Sequence, residues 1–247
     1  MVDKKIIKLN HSDSNLISKT FQLKYFPIGI KFVKKGGNIF KFPRAKNRKS
    51  ISAFIKIAVQ GAFFYLDKDI ISCPGGLKWM GFPSKITETY FYKFFLGKLE
   101  KIKSSPEIAE KFIDFLPKPP EEGLYEKMLF TPLKICQFKP DVVVIITTPR
   151  YAYQIIIASY LDEYHLVKTI PICAACHGAI SIPFTTGELN VSMIDPMSRE
   201  LGGYKDEEIL IGIPYPRFIS LIKNIEKTSY NTQKESIFTK VIKEVID

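Results

Sequence analysis

Cysteine is scarce in this chain: four in 247 residues, too few for a disulfide scaffold. Long apolar runs are missing as well. The most apolar stretches, Val142 to Thr148 and Ala152 to Leu161, fall well short of the ~20 residues that span a bilayer, and Arg150 lies between them. No transmembrane segment is expected. Met1 to Lys8 carries charge but no apolar core of signal-peptide length, which points to a cytoplasmic protein with free or metal-bound thiols. Internal repeats, low-complexity tracts, phosphate loops and dinucleotide motifs are also absent. What is present, 46% hydrophobic and 13% aromatic residues, is ample for a packed core.

Acidic residues are nearly missing from the first fifty positions. Residues 1–50 hold 13 Lys or Arg against 2 acids, whereas residues 51–247 hold 23 of each, so the net charge of +11 is N-terminal. The densest stretch, Lys31 to Lys49, interleaves Lys34, Lys35, Lys41, Arg44, Lys46, Arg48 and Lys49 with glycine and aromatics. Such a segment can grip the phosphates of a nucleic acid and stack on its bases. It reads equally as a solvated loop, and no nucleic-acid-binding motif accompanies it, so a polyanion remains a secondary partner expectation.

Hydrophobic spacing gives alternating elements. Thr20 to Val33 reads as one or two strands broken at Pro27, and Ser50 to Leu66 as a helix capped by Ser50 or Ser52. Asp69 to Ser72 reads as a short strand leading to a turn, Lys85 to Leu99 and Pro106 to Phe115 as amphipathic helices, and 117–123 as a candidate linker. Met128 to Cys136 and Asp141 to Thr147 are predicted strands, and Arg150 to Leu161 a helix after Pro149. Thr169 to Ile172, Leu189 to Ile194 and Ile209 to Ile213 are further strands, with Arg217 to Glu226 and Gln233 to Val245 as closing helices. The fold class expected is α/β: a single domain over 1–247, a mixed β-sheet flanked by helices. A homo-oligomer is compatible with it.

Site chemistry is concentrated in Cys173-Ala-Ala-Cys176-His177 and in Cys73-Pro74-Gly75-Gly76. If Cys173 opens a helix, residues 173, 176 and 177 share one face, and helix N-terminal amides lower a thiol pKa. Two thiols do not close a metal site, so Cys73 and Cys136 are candidates to complete it, Cys136 reading more simply as a buried structural thiol. Gly75 and Gly76 offer amides to a cofactor or a small anionic ligand, as do Gly202 and Gly203. The metal expectation is an iron–sulfur cluster, or else zinc, on Cys73, Cys173, Cys176 and Cys136. The enzymatic alternative is thiol redox or nucleophilic chemistry at Cys173 with His177 as base or orienter. Against both, small residues at 173 and 176 can simply let a helix pack on a sheet, and His177 can be an ordinary hydrogen-bonded residue. The c-type haem pattern is disfavoured without an export signal, and a thioredoxin-like dithiol by surroundings poor in glycine and aromatics.

Four blocks carry a resemblance: Pro27 to Phe32; Ala58 to Gly61 with Cys73 to Gly76 and Met80 to Phe82; Thr148-Pro149; and Cys173 to Pro183 with Gly187, Ser192 and Arg199. Over about residues 15–227 the chain resembles the domain-of-unknown-function 169 family. The resemblance implies that Cys73 and Cys173 are the shared pair, brought together by the fold, and implies no activity. Relatives carry further cysteines where this chain has Ser52 to Phe54 and Asp195 to Met197. Cys176 and His177 fall outside the family pattern.

Overall fold

A computed structural model of the chain describes residues 4–84, 96, 101–164 and 166–228. The helices expected at Lys85 to Leu99 and Gln233 to Val245 lie outside those residues, Leu96 excepted.

One six-stranded sheet organises the fold. Its strands are β1 (Ile28–Lys34), β2 (Phe64–Leu66), β3 (Tyr125–Pro132), β4 (Val142–Thr147), β5 (Asn190–Ser192) and β6 (Ile209–Pro214). They lie in the order β2-β3-β1-β4-β6-β5, every pairing between them antiparallel, and parallel contacts occur as the isolated bridges Arg44–Tyr65 and Lys49–Ile71. Both outermost strands have three residues, too little exposed ladder to invite edge-to-edge pairing. The expected α/β architecture, a single sheet with helices around it, is the one observed, while the sheet expected to be mixed is antiparallel in all its strand pairings.

Two-residue periodicity splits the core in two. Ile28, Ile30, Phe32, Val142, Val144, Ile146, Met128, Phe130 and Leu210 face one side, and Val33, Leu129, Val143, Ile145, Ile209, Ile211 and Ile213 face the other. On the first side sit α2 (Ile51–Val59), α3 (Pro74–Trp79), α4 (Pro106–Phe115) and a helical stretch running from Ala175 through a π-helical segment, His177–Ser181, into α6 (Ile182–Thr186). On the second sit α1 (Lys4–Thr20), α5 (Pro149–Ser159) and α8 (Tyr215–Ile225). The remaining helix, α7 (Pro196–Gly202), packs against α2.

Several local expectations shift. The expected helix from Ser50 starts as predicted, with the Ala53 amide donating to Ser50 Oγ at 3.2 Å. It stops at Gln60, because Gly61 turns the chain with φ of 117° and Phe64 to Leu66 join the sheet instead. Pro27 does break the first segment, but residues 21–26 before it form turns and loop rather than strand, and they follow α1, a helix that hydrophobic spacing missed. That helix is polar, and a buried asparagine anchors it: Asn10 Nδ2 donates to the carbonyls of Cys136 (3.2 Å) and Phe138 (3.0 Å), and Tyr215 Oη donates to Asn10 Oδ1 (3.1 Å). Thr169 to Ile172 forms no strand. Its extended backbone is held instead by Asn190, whose side chain bonds both the N–H and the C=O of Ile170. Residues 117–123 pack against the body, the Gly123 amide donating to Gly81 O at 2.9 Å.

Candidate functional site

Cys73 stands at the N-cap of α3, with Pro74 as the first helical residue. The Cys73 side chain makes no capping hydrogen bond, but the backbone N–H groups of Ile51 and Gly76, in the opening turns of α2 and α3, favour its ionised form. Glycine is required at 76, since a Cβ there would lie 2.6 Å from Cys73 Sγ and 2.8 Å from Ile51 Cγ1. Cys173 and Cys176 arrive from the other side, where the chain enters the helical stretch. Cys173 Sγ donates to Ile170 O at 3.7 Å, and the neighbouring Ser192 hydroxyl and Gly178 amide favour its ionised form.

Asp195 fixes the geometry between the segments. Its Oδ1 caps α7 through the Ser198 amide (2.8 Å), while Oδ2 accepts from the Ser198 hydroxyl (2.7 Å) and from the Ala175 amide (2.8 Å). One carboxylate thus terminates two helical segments at the same place. Together these residues surround a cavity of about 280 Å³ whose lining includes Cys73, Cys173, Cys176, Asp195, Gly75 and Gly76. Ser50 and Ser52, whose hydroxyls are 3.0 Å apart, lie on it too, and Tyr204 Oη braces the wall by donating to Ser52 O at 2.7 Å.

Burial, not helix amides, dominates the thiols. It pushes Cys73 up, Cys173 up to about 12 and Cys176 well above the ordinary value, with the neighbouring Cys73, Asp195 and Cys173 adding to the last. The amides near Cys73 act in the expected direction but are outweighed. His177 is placed differently from a base. Its ring stacks on Trp79 with centroids 3.7 Å apart and planes 10° apart, and Nε2 donates to Pro117 O at 3.0 Å. Burial pushes its pKa down to about 3, so the ring is neutral. Nδ1 is buried without a hydrogen-bond partner.

Cys136 belongs to the other core. It is fully buried beyond β3, its Sγ donates to Phe138 O at 3.1 Å, and burial pushes its thiol up to about 12. The fold therefore gathers Cys73, Cys173 and Cys176, with Gly75 and Gly76, and leaves Cys136 on the far side of the sheet. Gly203 has φ of 64° and ends α7, so the Gly202-Gly203 pair serves as a helix stop. The basic stretch is mostly exposed, and Arg44 within it is paired with Asp67 at 2.7 Å. Sequence reasoning does not single out Asp195, although Asp-Pro-x-Ser is a helix-start pattern, or Trp79, for which no sequence signal exists.

Soft thiol donors suit iron–sulfur clusters and zinc alike, and N–H groups that favour ionised sulfur at Cys73 and Cys173 match the outer shell such ligands use. Among the described residues, however, no three His, Cys, Asp or Glu side chains are gathered so as to hold a metal ion. Nor, among them, is any helix long and apolar enough to cross a membrane.

The profile of the DUF169 family, described as Uncharacterised ArCR, matches residues 16–224. An uncharacterised protein of Methanocaldococcus jannaschii is 28% identical over 164 residues, 66% of this chain and 69% of that protein. No solved structure matches the chain. The chain belongs to the DUF169 family.

Proposed function

We propose that this family member holds a thiophilic cofactor in its cavity, an iron–sulfur cluster with Cys73, Cys173 and Cys176 as ligands. One observation carries the reading: three of the four cysteines, drawn from segments a hundred residues apart, line the same cavity. The space of about 280 Å³ that the three thiols line has room for a group of several atoms. When bound, such a cluster supplies one-electron transfer. The residues present do the rest: the Ile51, Gly76 and Gly178 amides and the Ser192 hydroxyl lie where they favour ionised sulfur at Cys73 and Cys173, which stabilises thiolates and tunes a potential. Burial holds the free thiols protonated, so loading releases protons and is favoured by higher pH.

Thiol catalysis at Cys173 is the weaker reading. A thiol pushed up to about 12 is a poor nucleophile near neutrality, and His177 is committed to Trp79 and Pro117. Protein purified without oxygen should contain stoichiometric iron and acid-labile sulfide and show visible absorption. Cys73→Ser and Cys173→Ser should lose both, and Cys136→Ser should keep them. A colourless, metal-free and fully stable preparation would sink the proposal.

A further inference from the structure

The cavity is larger than thiol ligation alone requires, and its lining is of two kinds. With room for about 280 Å³, the cleft is far larger than the water-sized voids of a packed interior. Trp79, Leu96, Ile102, Phe112, Leu116 and Met197 form an apolar wall. The three thiols, Ser50, Ser52 and Asp195 line the cavity too. An apolar enclosure with a few convergent polar groups is the form of a small-molecule site.

Charge narrows the occupant. Among the described lining residues there is no Lys, Arg or His, and Asp195 is the one charged side chain. Lys103 does not line the cavity: its Nζ is held 4.0 Å from the centre of the Phe112 ring. A carboxylate or phosphate entering here would leave water, meet no countercharge among the described lining residues and face Asp195. An amine would find Asp195, and an alcohol or amide would find the serine hydroxyls.

From this we infer that the cavity takes a small, mainly apolar organic molecule whose head group is uncharged or an amine, and that it rejects anions. This inference runs against the small anionic ligand expected from the glycine-rich turn. This inference rests on the shape and charge of the cavity, and so is separable from the cluster reading.

Trp79 is the only tryptophan of the chain and lies on the wall, so its fluorescence reports occupancy. The test titrates cyclohexanol, cyclohexylamine and cyclohexanecarboxylate, one ring with three heads, into protein as isolated and after chelator treatment. Trp79 emission and thermal midpoint are followed together. Cyclohexanol or cyclohexylamine should shift both signals, and the carboxylate should bind roughly tenfold more weakly or worse. Leu201 lines the cavity and is 53% exposed, so Leu201→Lys should fold and should raise carboxylate affinity relative to the amine. Carboxylate binding as tight as the other two, or no response to any of the three, overturns the inference. Binding that survives in colourless protein upholds it while the cluster reading fails.

Discussion

At the scale of single residues, the most consequential pair outside the cavity is Lys56 and Glu208. Both are buried, with side chains 9% and 6% exposed, and Lys56 Nζ donates to Glu208 Oε2 at 2.6 Å. The ammonium also lies 4.3 Å and 4.7 Å from the ring centres of Tyr25 and Tyr204, and Tyr204 is the residue that braces Ser52 on the cavity wall. Burial alone would raise the Glu208 pKa. The bonds from Lys56, the Lys205 amide and Tyr25 outweigh it and hold the carboxyl below its ordinary 4.5. A carboxyl with a depressed folded-state pKa contributes stability that is in place above the unfolded value and is lost as pH falls through the folded one. Wild-type protein should therefore lose this contribution below pH 4.5. Glu208→Gln leaves Lys56 buried without its counterion and should cost about 3–5 kcal/mol at neutral pH. Denaturant titrations at pH 7 and at stepped pH values below 5 check both effects. An unchanged midpoint at neutrality would show that the pair carries no net stability.

Among elements, the segment from Ala175 to Thr186 decides where two of the three cavity thiols stand. It packs on β5 and β6 so closely that a Cβ at Gly212 would press onto the Ala179 carbonyl and the Pro183 ring. A Cβ at Gly178 would meet the Ser192 side chain and Cys173 Sγ. Its π-helical turn, His177–Ser181, is a form that recurs at functional sites, and here it sets His177 against Trp79. Gly212→Ala must push the helical stretch off the sheet. It should cost about 1–3 kcal/mol and change Trp79 emission, because the ring stacked on that indole moves with the helix. Emission spectra with thermal melts test this, and a variant matching the wild type in both would show that the contact yields freely. Elements with strong apolar periodicity, such as Pro106–Phe115 and Val142–Thr147, were legible in sequence to within a residue. α1 was not, because its burial rests on Asn10 hydrogen bonds that no hydrophobic pattern announces. Phe64 to Leu66 was read as helix because a three-residue edge strand takes its identity from its partner β3.

For the whole molecule, the sheet is a partition, and it explains why cysteine count and cysteine spacing gave different information. Spacing linked Cys173 with Cys176, the family resemblance linked Cys73 with Cys173, and the fold places all three on one side. Neither spacing nor composition could assign Cys136 a side. That depends on the chain leaving β3 through the turn Leu133–Ile135 and tucking under α1, where the Cys136 carbonyl meets Asn10. His177 stands beside Cys176 in sequence, and a π-helical turn sets its ring against Trp79. The partition predicts an order of thiol modification in chelator-treated, folded protein. Cys73 is the one partly exposed thiol of the four, so iodoacetamide should reach it first. Cys173 and Cys176 are buried at the cavity wall and should follow slowly, and a molecule seated in the cavity should slow Cys73, Cys173 and Cys176 together. Cys136 has no opening to the cavity and should react at the rate of global unfolding, unaffected by any cavity ligand. Mass spectrometry of peptides from a timed alkylation reads each site separately. Labelling of Cys136 in step with Cys73 would mean that the two sides of the sheet open together and that the partition fails.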